Sequence, residues 1–153
     1  MVHYVVGDIH GCLQPLIRLL QREGFIGEGL EWAGGTNQLW FLGDYTDRGP
    51  DGVGVIELLM RLEREARAAG GAVHALLGNH DLMLLAAYHF TDTEIPSFKR
   101  QGQSVTFYEI WQYVGGKARD LKRLGEAHVE WLSNRPALAL VENTLLMHAD
   151  SLF

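Results

Sequence analysis

The chain has 153 residues, a formal charge of −6 and one cysteine, Cys12, and its 47% hydrophobic and 21% charged content is too apolar for disorder. The lone cysteine excludes an internal disulfide framework and a thiolate zinc cluster, and the acidic balance argues against nucleic acid as a partner. With neither an apolar run of about 20 residues nor a basic-then-apolar leader, the reading is a soluble cytoplasmic domain with no membrane partner.

Tyr4-Val5-Val6 runs without polar interruption into Gly7-Asp8, the pattern of a strand buried on both faces. Leu13, Leu16, Ile17 and Leu20 then recur at helical spacing, with Pro15 in the first turn, where proline is tolerated. A second strand, Leu39-Trp40-Phe41-Leu42, runs into Gly43-Asp44. Val55, Leu58, Leu59, Leu62, Ala66 and Ala69 predict a second helix that stops at Gly70-Gly71. On its wet side, Glu57/Arg61 and Glu63/Arg67 stand four apart, the spacing of helical ion pairs. A third strand, Ala75-Leu76-Leu77, ends in Gly78-Asn79, and a helix follows over 82–89.

This order predicts an α/β fold, with a parallel sheet and crossover helices. The stretch from about 91 to 134 reads as a mostly helical insertion or cap, with Glu126 to Leu132 as one of its helices. Ala137 to Glu142 and Thr144 to Met147 read as strands joined by a turn at Glu142-Asn143.

Ligands in parallel sheets bind beyond the carboxyl ends of the strands, so the three Gly-polar pairs converge there. The polar residues gathered are Asp8 and His10, then Asp44, Asp47 and Arg48, then Asn79, His80 and Asp81, then His148. Carboxylate, imidazole and amide oxygen together suit Mn²⁺, Fe or Zn²⁺. Four carboxylates at one rim repel one another unless cations lie between them. Two divalent ions, Mn²⁺ first among the alternatives, resolve that conflict and make a phosphoryl-transfer centre.

The motifs GDIHG (7–11), GDYTDRG (43–49), GNHD (78–81) and MHAD (147–150) resemble the ordered signature of the calcineurin-like metallophosphoesterases. The likeness runs from Val5 to Asp150 and is nearest the phosphoprotein phosphatase branch, in particular the phage lambda protein phosphatase and its bacterial relatives. Symmetrical diadenosine tetraphosphatases share the first three motifs. The resemblance implies a four-layer α-β-β-α sandwich and a serine/threonine phosphoprotein phosphatase or other phosphomonoesterase. Its substrate would be a phosphorylated protein or a small phosphoester, with diadenosine tetraphosphate hydrolysis as the alternative. It further implies that Asp8 and His10 hold one metal, that Asn79 and His148 hold the other, and that Asp44 bridges them. Arg48 would bind phosphate oxygens together with Asn79 and His80. His80 would protonate the leaving oxygen, oriented by Asp47, as a metal-bridging hydroxide attacks in line.

Two departures accompany the resemblance. Asp81 stands where the phosphatase branch usually has Glu, and is expected either to support the site or to serve only as a helix N-terminal carboxylate. The family pattern also continues with a Gly-His motif and a phosphate-binding arginine, whereas the sequence given ends at Phe153, five residues after His148. The expectation is therefore a domain incomplete at its C-terminus, lacking part of the second sheet. It would bind one metal well and a second weakly, and a catalytically impaired metal-binding fragment is the further alternative. His74, His89 and His128 do not match the missing motif. Cys12 and the four tryptophans are expected to be packing residues. Lys99, Arg100, Lys117, Arg119, Lys122 and Arg123 read either as a solvated face or as a lip that attracts polyanions.

Overall fold

A computed structural model describes residues 3–149. β1 (His3–Val6), β2 (Gln38–Phe41) and β3 (Ala72–Ala75) form a parallel sheet with β2 in the centre. The first two follow the predicted apolar runs, whereas β3 precedes the predicted 75–77 strand and shares only Ala75 with it. β1 is not buried on both faces: it is an edge strand of this sheet, and Tyr4 and Val5 are exposed. The register pairs Tyr4 with Leu39 and Leu39 with Val73. Side chains alternate across a sheet, so Leu39, Phe41, Val73 and Ala75 share one face, and all four are buried. That face packs into the core with α1 (Leu13–Arg22) and α2 (Gly52–Ala68). Leu16 and Leu20 come from α1, and Val55, Ile56, Leu59 and Leu62 from α2.

Asp51 caps α2 by accepting the Gly54 N–H at 2.8 Å, which starts the helix three residues before the predicted periodicity. The predicted pairs on its wet side, Glu57/Arg61 and Glu63/Arg67, give way to other partners, one of them again four residues apart. Arg61 pairs with Glu65 at 3.1 Å. Glu63 turns instead to α6 (Glu126–Ser133), accepting from Trp131 Nε1 at 2.7 Å and from Arg135 at 2.6 Å. Glu57 lies 3.4 Å from Arg123. Tertiary partners displace the local pairs because a local pair is worth only a few tenths of a kcal/mol.

Beyond β3, α3 (Asn79–His89) begins directly at the GNHD motif. The 91–134 segment is not mostly helical. It opens with an antiparallel hairpin, β4 (Glu94–Arg100) and β5 (Gln103–Thr106). Its two-residue turn, Gln101-Gly102, has positive φ at both positions, the twist that favours hairpin closure. Short helices α4 (Phe107–Tyr113) and α5 (Ala118–Arg123) follow, and then α6. Thr106 caps α4 by accepting the Glu109 N–H at 3.2 Å.

The last hairpin, β6 (Leu138–Val141) and β7 (Thr144–Met147), turns at Glu142-Asn143 as expected. The Leu77 N–H donates to the Pro136 carbonyl at 2.9 Å, which ties this hairpin to the exit of β3. Leu138, Leu140 and Leu145 remain on its exposed side. The architecture is mixed α/β. No helix among the described residues is long and apolar enough to cross a membrane. Asp150 of the MHAD motif lies outside the described residues.

Candidate metal centre

The loops leaving β1 and β2 are laced together. The Asp44 carbonyl accepts from Ile9 and His10, and the Gly49 N–H donates to the His10 carbonyl at 2.9 Å. This lacing holds His10, Asp44, Asp47 and Arg48 at positive φ. L-residues enter that region at a cost of about 1–2 kcal/mol each, and clusters of such residues mark functional sites. Gly78 is required where it stands, because a side chain there would collide with the Asp44 carboxylate and backbone.

Asp44 is the centre of the arrangement, its side chain 3% exposed. Its Oδ1 accepts the His80 backbone N–H at 2.9 Å. Its Oδ2 faces His148 Nε2 at 3.3 Å and His10 Nε2 at 3.6 Å. Two groups able to hold an ion share this carboxylate: Asp8, Asp44 and His148, and His10, Asp44 and His80, each with ligand atoms within 4.8 Å of one another. Asp8 also stands 3.7 Å from His10 Nε2. Asn79 Oδ1 lies 2.9 Å from His148 Nε2.

Three histidines present the same ring atom to this centre. His10 Nδ1 meets the Thr46 carbonyl at 3.1 Å, and His148 Nδ1 meets the Leu42 carbonyl at 3.1 Å. His80 Nδ1 meets Asp47 Oδ2 at 2.8 Å. Carbonyl and carboxylate oxygens only accept, so each Nδ1 carries a proton and each Nε2 is directed inward. Metal-ligating histidines are held by such an outer hydrogen bond. In His148 that nitrogen faces two oxygens, Asn79 Oδ1 and Asp44 Oδ2, a set of three donor atoms that a divalent cation would join. The donor set therefore fits divalent metal.

Arg48 donates from Nη1 to His10 Nε2 at 2.9 Å and from Nη2 to His80 Nε2 at 3.0 Å. A guanidinium spanning the two rings is placed to meet an anion at the centre. The neighbouring Asp47 carboxylate is fully buried. Burial pushes the Asp47 carboxyl above its ordinary range, against the downward pull of His80 and Trp111. The Trp111 contact, Nε1 to Asp47 Oδ1 at 2.8 Å, was not foreseen; the only signal in the sequence was a tryptophan in a polar stretch.

Asp81 both starts its helix and supports the site. Fully buried, it accepts from the Gly78 and Asp44 N–H groups on Oδ2 and from the Tyr45 N–H on Oδ1, at 2.8–2.9 Å. It thereby clamps the β2 exit loop to the start of α3. Burial raises its pKa to about 6, against the pull of those three donors.

The remaining four histidines lie elsewhere, His3 with its Nε2 3.7 Å from Glu142. His74 stacks on Trp40 with centroids 4.0 Å apart, and His128 Nδ1 accepts the Gly125 N–H at 3.0 Å. His89 lies edge-on to Tyr88. Cys12 is only half-buried, at the start of α1 rather than in the core. The basic cluster divides. Arg123 meets Asp51 at 2.6 Å and Arg119 donates to the Gly49 carbonyl at 3.0 Å, while Arg100 lies over the Tyr113 ring.

Comparison with known proteins agrees with this geometry. The family model for calcineurin-like phosphoesterases matches residues 1–152, and the chain belongs to that family. It is 33% identical over 150 residues to a symmetrical bis(5'-nucleosyl)-tetraphosphatase of Bordetella pertussis, covering 97% of this chain and 43% of that protein. The enzyme of the same name from Erwinia tasmaniensis is 44% identical over 88 residues, 58% of this chain and 27% of that protein. The chain thus spans less than half the length of these curated relatives. Among solved structures, a cold-active protein tyrosine phosphatase superposes with a TM-score of 0.65 at 26% identity, over 97% of this chain and 43% of that one. A putative diadenosine tetraphosphatase superposes with a TM-score of 0.54, also at 26% identity, over 89% of this chain and 43% of that one.

Proposed function

We propose that this chain carries the metal centre of a phosphoester hydrolase that cleaves dinucleoside tetraphosphates symmetrically. The observation that carries the chemistry is the inward Nε2 of His10, His80 and His148 around the shared Asp44 carboxylate. The names of the Bordetella and Erwinia relatives support the substrate. They favour it over the phosphoprotein phosphatase that the motifs alone placed first. The likeness to a protein tyrosine phosphatase keeps phosphoprotein hydrolysis as the second reading.

Asp8, His10, Asp44, Asn79 and His148 would hold two divalent ions, with Mn²⁺ the first candidate and Fe or Zn²⁺ next. When bound, such ions supply an acidified water and neutralise the phosphoryl oxygens. Asp44 contributes to both groups, so it sets the spacing between them. Arg48 orients a non-bridging oxygen, and its planar fork offers two parallel donors. His80 hands a proton to the leaving oxygen from Nε2. Asp47 holds the ring through Nδ1 and so aims Nε2 at that oxygen. Asn79 stays neutral and so adds no charge to repel an anionic substrate.

Hydrolysis of an alkyl phosphomonoester with added Mn²⁺ tests the hydrolase reading. Activity in the natural chain that falls at least about 100-fold in Asp44→Asn and His80→Asn, the lower range for loss of an acid or base, is expected. Equal rates in all three proteins would overturn it.

A further inference from the structure

Helix α4 has two aromatic faces with different duties. Trp111 points inward and holds Asp47, which holds His80. Two residues on, Tyr113 points outward and is 62% exposed. The Arg100 guanidinium, at the end of β4, lies 3.8 Å from the Tyr113 ring centroid. An exposed aromatic capped by a guanidinium leaves one broad, planar, weakly hydrated surface free on the outer side of the arginine.

This surface borders an open groove of about 640 Å³. Gln101, Gln103, Ser104 and Gln112 line it with Arg100 and Tyr113, as does Glu109, whose carboxylate accepts the Thr106 N–H at 2.8 Å. Side-chain amides offer both a donor and an acceptor, the pairing found on the edge of a purine base. Gln112 is held in place by its own amide, which donates to the Tyr108 hydroxyl at 3.0 Å. The Gln101-Gly102 turn, with both residues at positive φ, fixes the far wall.

The groove connects to the metal centre through the backbone. Gly115, two residues after Tyr113, accepts the Arg48 N–H at 2.8 Å. Two residues span at most about 7 Å, so the backbone of Tyr113 is tied close to the backbone of Arg48, whose guanidinium spans His10 and His80. Guanidinium planes and aromatic rings are the surfaces on which splayed bases stack.

We infer that Arg100 and Tyr113 form a base-stacking subsite that receives the nucleobase of a nucleotide whose phosphates lie at Arg48. This inference deepens the dinucleotide reading and rests on it for the substrate, but its test does not depend on cleavage. It explains why Arg100 stands apart from Arg119 and Arg123: its neighbour is an exposed ring rather than a carboxylate or a backbone carbonyl.

The experiment is calorimetric titration of the Mn²⁺-loaded full chain with ADP and with ribose 5-diphosphate, which lacks the base. The natural chain is expected to bind ADP about tenfold more tightly, the order of one base–aromatic stack by alanine substitution. In Arg100→Ala and Tyr113→Ala that ratio should fall to within about twofold, by the same stacking term. Arg100→Lys keeps the charge and loses the plane, and its ratio should fall as well. Equal affinity for the two ligands in the natural chain, undetectable binding of both included, would overturn the subsite. A preference for ADP that survives in the variants would overturn it too. An ADP preference without tetraphosphate cleavage would leave the subsite standing and refute the substrate reading alone.

Discussion

Trp111 and Asp47, 64 positions apart, are joined by a hydrogen bond from the indole Nε1 to Oδ1 at 2.8 Å. The other oxygen of the same carboxylate holds His80 Nδ1, also at 2.8 Å. The segment between α3 and β6 therefore braces the Asp47–His80 pair, which the loops at the strand ends carry.

Trp111→Phe removes that donor and keeps a ring in the cavity. A hydrogen bond to a charged group is worth about 1.5–3 kcal/mol, so kcat should fall by roughly 10- to 100-fold. The fall should be large for an alkyl phosphate, whose leaving oxygen needs a proton, and smaller for 4-nitrophenyl phosphate. Comparing the two esters checks it; an equal loss on both would make Trp111 a packing residue only.

Asp44 belongs to both ligand groups, whereas His148 and His10 each belong to one. Metal titration by calorimetry should show both binding events weakened in Asp44→Asn. In His148→Ala and His10→Ala one event should be lost and the other kept.

Asp81 satisfies three backbone donors inside the protein. Asp81→Ala leaves them without an acceptor and should cost about 1–3 kcal/mol, the range for a buried donor left unsatisfied. Denaturant unfolding measures it. A loss below about 1 kcal/mol, the scale of a single exposed contact, would mean that the clamp is not made.

Asp120 supplies a pH test away from the metal ligands. Its carboxyl is 1% exposed, accepts the Gly52 N–H at 3.3 Å, and has an Oδ1 with no hydrogen-bond partner. Burial raises its pKa in the folded chain. A carboxyl that holds its proton more tightly when folded penalises folding as pH rises past the unfolded value, near 4. Asp120→Asn should therefore gain thermal stability over the natural chain as pH climbs from about 4, and the gain should level off once the folded group is ionised. Melting curves across pH 4–8 check the sign. A difference that shrinks with rising pH would contradict it.

The strand-end residues were legible because each continuous apolar run stops at a glycine followed by a polar residue. That pattern places Asp8, Asp44 and Asn79 at one rim without any knowledge of distant contacts. The β6–β7 hairpin was legible from its two apolar runs and the Glu142-Asn143 turn. The β4–β5 hairpin was not. Pro96 interrupts the first strand, and the pairing is irregular between Glu94 and Lys99, so the alternation that marks a strand is blurred. The roles of Trp111 and Glu63 were hidden for a different reason. Their partners, Asp47 and Arg135, are far away in sequence, and a local pattern carries no information about which distant group a side chain will meet. Asp81 was ambiguous in sequence because a carboxylate in the first helical turn is favourable wherever it occurs; only its burial and three donors distinguish a clamp from a cap.

Symmetrical cleavage of a dinucleoside tetraphosphate is the claim most open to direct measurement. The Mn²⁺-loaded chain would be incubated with diadenosine tetraphosphate and the nucleotides separated by chromatography. The account predicts ADP as the sole nucleotide product. ATP together with AMP, or intact dinucleotide alongside orthophosphate released from phosphopeptides, would contradict it.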